Sequence, residues 1–166
     1  MNEPAPPSAL PSGVLLPDVA IDPSRVTLGM LISLVKVEMV RALEAEFASK
    51  NVDLSFTQYV ILKKSQQLGA VSATELARAV DLDGGAMTRQ LDHLERKGYL
   101  RRMPHEQDRR ALRIELTDAG SAIWQGGAFA CSNRVMDAAQ HSLNETERAQ
   151  LHEYLERVLH ALREEN

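Results

Sequence analysis

Between residues 72 and 117 the hydrophobic pattern switches from the period of a helix to that of a strand. Nothing else in the chain limits the fold as tightly. Ser72, Ala73, Thr74 and Glu75 have the form of a capping box, with a hydroxyl at the cap and a carboxylate three residues on. The box opens a short helix with Leu76, Ala77 and Val80 facing inward. Asp81, Leu82, Asp83, Gly84 and Gly85 read as a turn. A second helix over 85–97 carries Met87, Leu91 and Leu94 on one side and stops at Gly98. The period then becomes two, and 99–103 and 112–116 read as strands joined by a polar turn over 104–110. Two capped helices across a tight glycine-bearing turn form a helix-turn-helix, and a hairpin directly after the second helix is a wing.

The flanks are helical. Leu28, Leu31, Ile32, Val35, Met39, Leu43 and Phe47 recur at spacings of three and four, which predicts one helix over about 24–50. Val26, Leu34, Val37 and Val40 add a second apolar edge to it, wider than a small domain needs, and such an edge finds a further partner such as another subunit. Ser55 with Gln58 opens a helix that closes at Gly69. Thr117 caps a helix from Asp118 to about Gln140, which Gly126 and Gly127 should weaken or kink. Asn144 with Glu147 opens the last helix, carrying Leu151, Tyr154, Leu155, Val158, Leu159 and Leu162. Residues 1–24 hold six of the seven prolines and no periodicity, and read as a disordered arm. The expected organisation is therefore an arm over 1–24, a dimerisation helix over 25–50, a winged helix-turn-helix lobe over 51–117 and C-terminal dimerisation helices over 118–166. The fold class is mainly α with a small β wing.

The formal net charge of −4 argues at first against nucleic acid. DNA responds to the local field, however. Residues 84–117 hold eight Arg and Lys against five Asp and Glu, a local excess of +3 in an acidic chain. A single cysteine, Cys131, excludes an intramolecular disulfide and a cysteine-built zinc site and suits a reducing, cytoplasmic setting. No apolar run approaches a membrane span, and the N-terminus lacks the form of a signal peptide. No nucleophile, base and orienting group cluster at usable spacing and no Gly-rich phosphate loop is present, so no enzyme and no cofactor are expected. His141, His152 and His160 read as solvated surface residues rather than metal ligands.

The chemistry concentrates on the outward side of the 85–97 helix: Gly85, Ala86, Thr88, Arg89, Asp92, His93 and Arg96. Recognition helices touch base edges mostly with their N-terminal residues. Small residues there let the backbone approach a duplex, the positive helix end suits phosphate, and Arg89 is able to pair bidentately with guanine. A solvated or salt-bridged arginine explains Arg89 alone about as well. At the wing tip stand Asp108, Arg109 and Arg110. Adjacent arginines on a hairpin tip suit a narrow minor groove, and Asp108 would orient a neighbouring guanidinium. An ordinary polar turn is the simpler alternative. Ser72 and Thr74, at the start of the positioning helix, complete the expected DNA-facing set.

The stretch 80–100, with Asp83, Gly84, Gly85, Ala86, Met87, Thr88 and Arg89 at its centre, resembles the recognition helix and exit of the MarR family. Asp108 and Arg110 followed by Leu116, Thr117 and Gly120 match that family's wing pattern, and the likeness is collinear from about Val26 onward. The resemblance implies an obligate homodimer built by the first and the last two helices, with two winged lobes straddling a pseudo-palindromic double-stranded operator. It implies that Arg110 enters the minor groove, that Asp108 orients it, and that Thr88 and Arg89 reach the major groove. It offers no catalytic residues.

The resemblance also implies a small-molecule effector, an aromatic or phenolic acid, held between the dimer helices and the lobe. Met39, Arg41, Tyr59, Arg89 and His93 are the candidate contacts, although Met39 and Tyr59 read more readily as core residues than as ligand contacts. The leading reading is thus a ligand-responsive repressor. The rivals are a winged-helix protein-interaction module without DNA binding and a thiol-based redox sensor using Cys131.

Overall fold

The computed structural model describes residues 15–16, 19–20, 26–104 and 112–164. Two compact units divide the chain, 1–38 and 39–166. In the first, β1 (Leu15–Leu16) pairs antiparallel with β2 (Val19–Ala20), inside the segment expected to be a disordered arm; the rest of that arm lies outside the described residues. Helix α1 (Leu28–Ser49) begins here. Thr27 caps it, its hydroxyl accepting from the Met30 amide at 3.3 Å. Leu28, Leu31, Ile32 and Val35, expected to form the apolar stripe, are 42–53% exposed.

In the second unit the end of α1 buries Leu43 and Phe47. Helix α2 (Phe56–Leu68) starts with both halves of the expected capping box, Ser55 accepting from the Gln58 amide and Gln58 from that of Ser55. Helix α3 (Ala73–Ala79) starts in the same way at Ser72 and Glu75. Helix α4 (Gly84–Arg96) follows, capped by Asp83. The turn expected to end at Gly85 therefore ends at Asp83, because the Asp83 carboxylate takes an orphan helix amide that a turn would leave to water. Gly98, at φ 74°, ends the helix in the left-handed region that glycine enters without a Cβ clash.

The sheet has three strands, not the expected two. Strand β3 (Val71–Ser72) pairs with β5 (Leu112–Leu116), which pairs with β4 (Leu100–Pro104), all antiparallel. The register sets Ile114 opposite Val71 and Arg102. Ile114 and Leu100 are buried and join Leu62, Leu76, Met87, Leu91 and Leu94 in one core. Fully burying each such side chain stabilises the lobe by about 1.5–3 kcal/mol. This core carries helix, helix and hairpin as one body.

The single helix expected from Asp118 to about Gln140 is built in three parts. Helix α5 (Asp118–Ile123), capped by Thr117, leads into a wide π turn (Trp124–Ala128) and then α6 (Phe129–Ala139). The wide turn falls on Gly126 and Gly127, where helical preference is weakest. Helix α7 (Glu145–Glu164) starts at the expected Asn144 and Glu147 box. It buries none of its residues within the chain. Among the described residues no helix is long and apolar enough to cross a membrane.

Candidate nucleic-acid interface

Asp83 fixes the start of α4. Its Oδ1 accepts from the Ala86 amide at 2.8 Å. That bond, helped by the Gly85 amide and the Arg89 charge and opposed by desolvation, holds the Asp83 carboxyl below the usual carboxylate range. A depressed folded value means the cap's contribution is complete above the ordinary pKa and is lost as pH falls through the folded one. The protection factor of the Ala86 amide, its exchange rate relative to the intrinsic rate at the same pH, should therefore hold across neutral pH and fall in acid below the carboxylate range. Asp83→Ala should lower it at neutral pH, whereas Asp83→Asn should not. Equal protection in Asp83→Ala would remove the cap from the argument.

Past the cap the helix start is bare. Nothing lies within 4 Å of a Cβ placed on Gly84. A Cβ on Gly85 would meet Asp83 Oδ1 at 3.2 Å and Arg89 Nη1 at 3.9 Å, so the Arg89 side chain runs back along the exposed start of the helix. Thr88 and His93 are exposed and Ala86 is half-buried. The Thr88 hydroxyl donates to the Gly84 carbonyl at 2.8 Å. What Thr88 offers outward is thus an acceptor oxygen and a methyl group, not the donor expected from the sequence.

The other expected contacts divide. Ser72 Oγ is committed to its cap, donating to Glu75 Oε2 at 2.7 Å and accepting from the Glu75 amide at 3.2 Å. Thr74 is exposed beside it. Asp108, Arg109 and Arg110 lie outside the described residues. The described strands of the wing are braced twice. Arg101 on β4 pairs with Glu115 on β5 at 3.0 Å. Arg102 Nη2 reaches Asp92 of α4 at 2.6 Å and Nη1 meets Glu95 of α4. Burial works against the Arg102 charge, but those two carboxylates outweigh it and raise its pKa further above the ordinary arginine value. At the far end of α4, Lys97 Nζ donates to the carbonyl and Oδ1 of Asp53, both at 2.8 Å, and to Gln58 Oε1 at 3.1 Å. Helix α4 is thus tied to the wing on one flank and to the entry of α2 at its end. Sequence reasoning missed Asp83 and Arg102. Asp83 had a signal, an Asp three residues before an amide at the head of an apolar period. The partners of Arg102 lie seven and ten residues away on another element, where no local pattern points to them.

The candidate effector contacts lie on α1, α2 and α4. Met39 is half-buried and Arg41 exposed on α1, and Arg89 and His93 are exposed on α4. Tyr59 is buried, stacked on Trp124 at 5.4 Å between ring centres, and its hydroxyl bonds Ser132 Oγ at 2.6 Å. Cys131 is buried, its Sγ accepting from Arg134 Nη2 at 3.3 Å, and Arg134 Nε is in turn 2.6 Å from Glu46 Oε1. A thiol so enclosed lacks the access that oxidant sensing needs. His152 and His160 pair with Glu156 and Glu164 along α7, at 3.3 and 3.0 Å.

Residues 54–112, the lobe just described, match the MarR family. Over 132 residues the chain is 36% identical to the HTH-type transcriptional regulator PecS of Dickeya dadantii, covering 78% of this chain and 71% of that one. The chain belongs to the MarR family. It is 34% identical over 98 residues to the multiple antibiotic resistance protein MarR of Salmonella typhimurium, 59% of this chain and 67% of that one. The crystal structure of wild-type apo MarR from Escherichia coli superposes with a TM-score of 0.70 at 28% identity, over 81% of this chain and 98% of that one. A MarR variant from the same organism, complexed with operator DNA, superposes at 0.73 with 29% identity, over 80% and 93%. The resemblance drawn from the recognition helix and wing holds, and so does the mainly α fold with a small winged sheet.

Proposed function

We propose that this MarR-family protein is a cytoplasmic, dimeric repressor that reads a pseudo-palindromic operator and is released by a small aromatic or phenolic acid. One observation carries the DNA reading: a capped, bare helix start bearing Thr88 and Arg89, locked through Arg102 to a wing whose tip sequence is Asp108, Arg109 and Arg110. Arg89 and Thr88 address the major groove, and Arg110, oriented by Asp108, addresses the minor groove. Thr74 and the start of α3 lie against the backbone. The operator complex of the E. coli relative supports this assignment of the lobe.

The effector reading rests on Arg41, Arg89 and His93 as polar contacts for a carboxylate or phenol, with Met39 at the apolar wall. Tyr59, committed to Ser132, supports the wall rather than meeting the ligand. A ligand releases DNA only through its differential affinity for two lobe spacings, one of which matches half-sites about 34 Å apart.

Fluorescence anisotropy with the duplex upstream of the protein's own gene, against a random duplex, tests the DNA reading. Specific binding with a steep salt dependence is expected. Arg110→Ala should weaken it about tenfold to a hundredfold without loss of the folded dimer. Equal affinity in that variant removes the wing tip from the mechanism, and absence of binding to either duplex at low salt favours a protein-interaction module. Salicylate added to the preformed complex should release the duplex. Unchanged anisotropy at saturating salicylate overturns the aromatic-acid reading in its simplest form.

A further inference from the structure

We infer that Arg102 is a positioning residue for DNA reading, which covers two carboxylates on the recognition helix and fixes the angle at which the wing leaves it. This rests on the DNA reading above. Asp92 and Glu95 lie three apart on α4, on the flank that turns toward β4. Asp92 is about half exposed, one turn beyond Thr88 and Arg89. Left alone, the two carboxylates would set two negative charges beside the surface offered to phosphate. Arg102 draws both away from it. Its Nη2 meets Asp92 at 2.6 Å, its Nη1 meets Glu95, and its own backbone amide donates to Glu95 Oε1 at 3.3 Å. Its side chain is three-quarters buried.

The geometry needs an arginine. One planar fork spans two carboxylates and holds its direction, which a lysine ammonium on a flexible stem does not. The brace also joins two elements. Arg102 lies on β4 opposite Ile114, whose side chain is anchored in the core. The recognition helix and the wing are therefore held to each other by a charged pair of contacts above an apolar one. A wing that swung on its hairpin would meet the minor groove out of phase with Arg89 in the major groove.

The test is a salt titration of operator affinity with full-length protein and its cognate duplex. Arg102→Ala should bind about tenfold more weakly at physiological salt, because two uncovered charges now face the phosphates. The slope of log affinity against log salt should become shallower by well under one, because Arg102 neutralises no phosphate and rising salt only screens the repulsion from the two uncovered carboxylates. The triple variant Arg102→Ala, Asp92→Asn, Glu95→Gln should recover the part of the loss that comes from the uncovered charges, and the remainder measures the lost brace. Arg102→Lys should fall between wild type and Arg102→Ala, and it serves as the test if Arg102→Ala melts below the assay temperature. A slope lower by about one, without recovery in the triple variant, makes Arg102 a phosphate contact and overturns the inference. Equal affinity of wild type and Arg102→Ala also overturns it. Wild-type protein that binds no duplex at low salt removes the DNA reading itself, an outcome visible before any variant is compared.

Discussion

Gly120→Ala is expected to unfold the winged lobe or to cost it about 3 kcal/mol or more. A Cβ at this position would stand 2.0 Å from the Tyr99 carbonyl oxygen, 2.9 Å from its carbonyl carbon and 2.8 Å from Leu116 Cδ2. The first two are backbone, at the point where α4 gives way to β4. They cannot turn aside as a side chain would. Three bonds fix that crossing. The Thr117 amide donates to the Tyr99 carbonyl at 3.1 Å, Thr117 Oγ1 donates to the Gly98 carbonyl at 2.6 Å, and Gly120 N donates to Thr117 Oγ1 at 3.0 Å. Moving α5 away to admit a methyl group would break the cap that begins it. Gly126→Ala is the control, since nothing lies within 4 Å of a Cβ there. Chemical denaturation of both variants decides the matter: Gly126→Ala should unfold within about 1 kcal/mol of wild type. A Gly120→Ala midpoint equal to that of Gly126→Ala would show that the α5 crossing yields.

The cap at Thr117 shows which parts of this fold are legible in sequence. A cap speaks to residues three positions away, so Ser55 with Gln58, Ser72 with Glu75 and Asn144 with Glu147 could all be read directly, and each stands as expected. The inward set Met87, Leu91 and Leu94 was equally plain, because one face of one helix carries it. Longer-range features left no local mark. The two residues of β3 pair with β5 more than forty positions later, helped by Arg113 Nη2 on the Ala70 carbonyl at 3.2 Å, and a two-residue strand has no period to recognise. Gly126 and Gly127 announced a weak point in the helix but not that the turn there would widen while remaining helical. At the site, the residue types on α4 pointed to DNA. Their hydrogen-bond states did not follow from type: Thr88 had already given its proton to Gly84, and Ser72 was occupied by its own cap. The stripe on α1 was legible as apolar, but its period does not say which turns are covered within the chain. Leu43 and Phe47 are, and Leu28 to Val35 are not.

That unburied stripe and the unburied α7 lead to the second large effect, which is quaternary. Leu155→Glu with Leu159→Glu should convert the proposed dimer to monomer and lower operator affinity at least about a hundredfold. Helix α7 runs 20 residues and buries none of them in its own chain. Leu151, Tyr154, Leu155, Leu159 and Leu162 are each 42–58% exposed and recur at three- and four-residue spacing along one side. Most helical stability in proteins comes from packing an apolar face. Lone exposed leucines are ordinary, but a contiguous apolar face of this length marks an interaction surface. The upper part of α1 has the same character, with Leu28, Met30, Leu31, Ile32, Val35 and Val37 exposed. In the dimer proposed above, a second copy of the chain would supply the same two faces in return, as a two-fold interface requires. Losing it costs DNA binding twice over. Each lobe would then meet its half-site alone, and nothing would hold the spacing between two lobes. Light scattering after size exclusion reads the first step and anisotropy the second. A double variant that remains dimeric and binds DNA as wild type would show that α7 does not make the dimer. One that is monomeric yet binds at full affinity would show that a single lobe suffices for the operator.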